Sequence, residues 1–128
     1  MEERRTIRGF KDLVVWQRSV ALAVKIYQIT KNFPREEIYG LTSQIRRAAV
    51  SIPSNIAEGH GKGSRPSFAS HIDIALGSAA ELETQLEISI KIGYLSQSES
   101  DSLLIELTEI VRMLYGLLNK VQPDRHAH

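Results

Sequence analysis

The sequence contains no cysteine, which excludes disulfides, iron–sulfur clusters and thiolate zinc sites, and nothing in it points to secretion. Aromatic residues make only 6% of the chain, with a single tryptophan, so no aromatic-rich platform for stacking bases is legible. No apolar run approaches the roughly 20 residues that cross a bilayer. The opening MEERRTIRGF is charged and lacks the apolar segment of a signal peptide, so the expected location is a bacterial-type cytoplasm. No segment alternates apolar and polar residues over strand length, and no repeat or low-complexity tract is present.

Catalytic fingerprints are missing as well. There is no P-loop, dinucleotide fingerprint or HExxH. No glutamate has a histidine three residues on, as a di-iron bundle requires. His71 and Asp73 stand two apart and would not face each other on a helix. GHGKG at Gly59–Gly63 lacks both the preceding strand and the Lys-Ser/Thr ending of a phosphate loop. The sequence therefore reads as non-catalytic, with no metal ligands and no cofactor.

What is present is helical. At 128 residues, 42% hydrophobic and 24% charged, the chain is one domain of ordinary globular balance. The net charge of +1 hides an asymmetry. Residues 1–65 hold 12 Lys/Arg against 6 Asp/Glu, whereas residues 66–128 hold 4 against 9. The plainer reading is attraction between two halves of one bundle or between subunits; the sharper one is a basic face for phosphate.

The chain is organised around Leu41–Gly63, LTSQIRRAAVSIPSNIAEGHGKG. Leu41, Ile45, Ala48, Ile52 and Ile56 recur at helical spacing on one face. Arg47, Ser51, Asn55 (or Ser54) and Glu58 form a polar stripe beside it. Pro53 lacks an N–H, which predicts a kink there, with Ser51, Ser54 or Asn55 bonding near the gap. The glycines after Glu58 predict the helix stop.

QIRRAAVSIPSNIAEG resembles the signature of the four-helix-bundle family named for 23S rRNA intervening sequences. FKDLVVWQRSVAL, NFPREEIYGLTSQ, IALGSAAELETQLEIS and KIGYLS extend the resemblance over roughly Phe10 to Gln122. It implies an up-and-down bundle that assembles into a ring, a pentamer. Related accessory variability proteins of diversity-generating retroelements bind nucleic acid and a reverse transcriptase, which makes a polymerase-type partner part of the expectation.

Helical periodicity places a first helix from Asp12, as N-cap, to Asn32. It carries two apolar stripes, Leu13, Trp16, Val20, Val24 and Tyr27, then Val15, Leu22, Ile26, Ile29 and Phe33. The third helix spans Arg65 to Ile92, with Ser64 as N-cap, and Gly77 in its interior predicts a close helix–helix approach. The fourth opens with a Ser96/Glu99 capping box and runs to Gln122. Its stripes are Leu103, Leu107, Ile110, Leu114, Leu117 and Val121, then Leu104, Val111, Tyr115 and Leu118. Short connections make neighbours antiparallel. The expected architecture is all-α: residues 1–9 a flexible basic arm, 10–122 an up-down-up-down four-helix bundle, 123–128 a flexible tail. Double stripes on the first and fourth helices exceed one core and predict a homo-oligomer.

Two functions compete. In the first, Arg4, Arg5, Arg8, Lys62 and Arg65 contact the phosphates of RNA or DNA. In the second, the chain is a protein-interaction scaffold, such as an accessory subunit of a nucleic-acid-processing enzyme. Arg46 and Arg47 are then ion-pair partners of Glu81, Glu83 and Glu87, within or between subunits. Residue chemistry alone favours the scaffold slightly; the resemblance favours nucleic acid.

Overall fold

The structure, a computed structural model, describes residues 9–122. It consists of α1 (Val14–Thr30), α2 (Leu41–Gly61), α3 (Arg65–Lys91) and α4 (Gln97–Val121), with 3-10 turns at Phe10–Asp12 and Arg35–Glu37. No strand occurs among the described residues. The helices pack in a closed cycle, α1 on α2, α2 on α3, α3 on α4 and α4 on α1, and the diagonal pairs do not approach. Inside the cycle lies one core, in which Ile26, Ile45, Ile52, Ile72, Leu82 and Ile110 are wholly buried. Each such side chain contributes about 1.5–3 kcal/mol by leaving water.

Local chemistry sets several boundaries as the sequence requires. The Ser64 hydroxyl accepts from the Ser67 N–H at 3.2 Å, and Pro66 occupies the first turn of α3. Ser96 and Glu99 satisfy each other's backbone N–H at 3.1 and 3.0 Å. Gly93, with φ +85°, lets the chain leave α3. A Glu37 carboxylate oxygen accepts the Leu41 N–H at 3.0 Å and so serves the start of α2. Its other oxygen accepts from the Tyr94 hydroxyl at 3.0 Å, which ties the α1–α2 connection to the α3–α4 connection. That bond, with some burial, raises the Tyr94 phenol above its ordinary pKa.

Other boundaries differ. Asp12 is not the N-cap of α1: it sits in a 3-10 turn, and extended Leu13 intervenes before the helix begins. Gly59 does not stop α2. The helix runs on to Gly61, because Gly59 is a packing position where a Cβ would fall 2.6 Å from the His71 Cβ. Gly77 makes no close approach within the chain; a Cβ there would meet open space. The small residues that do pack are its neighbours Ala75, Ser78 and Ala79, all buried. The α2 helix continues through buried Pro53, and the Asn55 amide bonds the Ser51 carbonyl at 2.9 Å.

The double stripes sort themselves by burial. On α1, Val15, Leu22 and Ile26 enter the core while Val24 and Tyr27 stay exposed. On α4, Leu118 joins the core and Leu117 is only half-buried, so the two stripes exchange one member each.

Candidate functional site

The polar stripe of α2 faces α3 and forms a hydrogen-bonded chain along that seam. Ser51 Oγ lies 2.8 Å from Ser78 Oγ. Asn55 Nδ2 donates to the Ser51 carbonyl and hydroxyl at 2.9 and 3.0 Å, which turns its Oδ1 toward His71 Nδ1 at 2.9 Å. Since Oδ1 can only accept, this contact requires a proton on His71 Nδ1. Sequence spacing placed the α2 half of this chain on one face; nothing local marked Ser78 and His71 as its partners. Above Ser51 and Ser78 the seam widens into a groove of about 470 Å³, lined also by Gln44, Arg47, Ala48 and Glu81.

The arginine pair divides. Arg46 turns to α1, where Nε donates to Thr30 Oγ1 at 2.9 Å and Nη2 to the Tyr27 carbonyl at 3.4 Å. Its guanidinium also lies 4.6 Å above the centre of the Tyr27 ring, a cation–π contact. Arg47 and Glu81 border the same groove, yet among the described residues no ion pair joins Arg46 or Arg47 to Glu81, Glu83 or Glu87. All three glutamates are exposed, and Glu87 pairs instead with Lys91 at 3.3 Å. The inter-helix ion pair that does form, Arg18 with Glu106 at 3.1 Å, bridges α1 and α4. Those residues are 88 apart, and no sequence pattern joins them.

Of the expected phosphate contacts, Arg4, Arg5 and Arg8 lie outside the described residues. Lys62 caps the end of α2 and Arg65 opens α3, both exposed, with Gly63 between them at φ +80°. Lys62 reaches Glu58 at 4.0 Å, a solvent-exposed i,i+4 pair worth a few tenths of a kcal/mol and easily exchanged for a phosphate. Among the described residues no cluster of three or more His, Cys, Asp or Glu could hold a metal ion, and no helix is long and apolar enough to cross a membrane.

A model of the 23S rRNA-intervening sequence protein family matches residues 11–116. Among solved structures, the chain is similar to the crystal structure of a protein of unknown function from the S23 ribosomal protein family of Bacteroides thetaiotaomicron. The two share 31% identity over 82% of this chain and 98% of that one, with a TM-score of 0.74. A search of curated proteins finds no match.

Proposed function

Because the chain belongs to the 23S rRNA-intervening sequence protein family, we propose that it is a non-catalytic, oligomeric helical-bundle protein that associates with structured RNA or DNA through a basic surface. The observation that carries this reading is the pairing of Lys62 and Arg65 on either side of Gly63, both exposed. Arg46, early in α2, meets the last turn of α1, and Val50 and Pro53 share a groove with Val20 and Val24. The α1 helix therefore starts toward the Lys62 end of α2. Residues 66–128, with 9 acids against 4 bases, would repel phosphate.

Assembly multiplies a modest patch. Val24, Ile74, Ile105 and Tyr115 are 49–66% exposed, an apolar surface that a homo-oligomer, a ring of five by family likeness, would cover. The protein-scaffold alternative is favoured by one observation, the unpaired Arg47 and Glu81 facing the α2–α3 groove.

Retention on heparin and on RNA across a salt series separates the two readings. Replacing Arg4, Arg5, Arg8, Lys62 and Arg65 with neutral residues should weaken retention without changing the mass seen by light scattering. The logarithmic salt slope should flatten by roughly 0.7–0.9 for each lost phosphate contact. Unchanged retention in this variant, or no salt-sensitive binding by the parent, leaves the scaffold standing.

A further inference from the structure

A cavity of about 590 Å³ opens where the end of α1, the Arg35–Glu37 turn and the start of α2 converge. Lys31, Arg35 and Arg46 bring three cations to it, and no carboxylate is among its lining residues. Phe33 and Ile38 give it an apolar wall. Lys31 and Arg35 are exposed and have no side-chain partner among the described residues. Arg46 is the fixed member. Its bonds to Thr30 and the Tyr27 carbonyl use two of the five N–H donors of a guanidinium, leaving the others available.

Two buried hydroxyls complete the lining. Thr30, 3% exposed, is committed: it donates to the Ile26 carbonyl at 2.7 Å and accepts from Arg46. Thr42 is 2% exposed, and no hydrogen bond engages its hydroxyl among the described residues, which leaves that donor to the cavity. At the start of α2, Glu37 already accepts the Leu41 N–H, so the positive charge of the cavity comes from side chains. The site is built from side chains on three separate segments.

We propose that this cavity binds a phosphate group attached to an apolar or aromatic body, as in a nucleotide. The arginine forks match phosphate oxygens in pairs, Lys31 adds a point charge, and Thr42 supplies a hydroxyl donor. A free nucleotide and a single nucleic-acid strand share this chemistry. With the 21 residues of α2 between them, the cavity and Lys62 stand about 30 Å apart. The inference therefore stands independently of the role given to Lys62 and Arg65.

Titration of the full chain, followed by amide resonances, tests it with three probes: inorganic phosphate, uridine monophosphate and a short oligouridylate. Saturable shifts are expected at Arg35, Thr42, Ser43 and Arg46, with a Kd on the order of 1 mM for the mononucleotide. Lys31→Gln with Arg35→Gln should weaken binding at least about tenfold at unchanged melting temperature. Thr42→Val should weaken it with no change of charge, and Thr42→Ser should restore it. Lys62→Gln with Arg65→Gln should leave it intact, even where it abolishes retention on RNA. Tighter binding of the oligouridylate identifies a strand as the source, and equal or weaker binding a free nucleotide. No saturable shift at these amides with any probe, or shifts undiminished by Lys31→Gln and Arg35→Gln, overturns the proposal.

Discussion

The two flanks of α2 are built on opposite plans. Toward α3 the helix presents hydroxyls, an amide and a glycine, and from Ser51 to Gly59 the seam is tied by Ser51–Ser78 and Asn55–His71 bonds. Toward α1, past the Arg46–Thr30 bond near its start, it presents Val50 and Pro53, which with Val20, Val24 and Tyr27 line an open apolar groove of about 450 Å³. The polar flank fixes rotation and register, because each hydrogen bond is lost if the helices slide or turn. The apolar flank tolerates small shifts and leaves surface that something else can cover. One helix thus serves as a specified joint on one side and as an adaptable face on the other.

The largest effect is expected on the polar flank, at Gly59, with exposed Gly77 of α3 as the control. Gly59→Ala drives a methyl to within 2.6 Å of the His71 Cβ. The clash should outweigh the roughly 1 kcal/mol gained in helix propensity and cost about 2 kcal/mol net, read by urea denaturation. Gly77→Ala meets nothing within 4 Å and should gain up to about 1 kcal/mol in the protomer. Equal effects at the two sites would mean that the α2–α3 seam at Gly59 is no tighter than the exposed surface of α3 at Gly77.

Next in size is the hydrogen-bonded chain. Asn55→Ala and His71→Ala should each cost about 1 kcal/mol. In a double-mutant cycle their coupling should be about 0.5–1 kcal/mol, whereas either one combined with Arg46→Ala should be additive. Coupling near zero within the pair would mean the seam is held by packing alone. The smallest effect belongs to the apolar flank. Val24→Ser with Val50→Ser, at positions 51% and 40% exposed, should change unfolding of the protomer by less than about 0.5 kcal/mol per site. Sedimentation should nonetheless shift toward smaller species, since the proposed oligomer covers this surface.

How much of this was legible in the sequence depended on how local the physics was. Ser64 and the Ser96/Glu99 box were readable because a cap is made within four residues. The apolar face of α2 was readable because its burial follows from periodicity alone. Gly59 was misread as a stop because its reason, the His71 side chain, arrives from another helix. Within the protomer Arg46 meets α1 instead of the α3 glutamates, for a similar cause. Adjacent arginines at 46 and 47 look alike in sequence, and only helix rotation decides that one meets Thr30 and the other borders the groove with Glu81. The cavity of Lys31, Arg35 and Arg46 left no signature, since Arg46 reaches the other two from α2 only on folding.

The Tyr94–Glu37 tie makes one end of the bundle responsive to alkali. The phenol donates its proton to a carboxylate, so the folded state holds that proton more tightly than the ordinary phenol pKa of 10.0 expected of the unfolded chain. A group whose pKa is raised by folding adds stability in full below its unfolded pKa, and that stability fades as pH climbs through the folded one. The two connections should therefore come apart above pH 10.0 while the seam between α2 and α3 still holds. Amide exchange should accelerate first around Leu41 and Tyr94, and Tyr94→Phe, which has no proton to lose, should abolish that alkaline step.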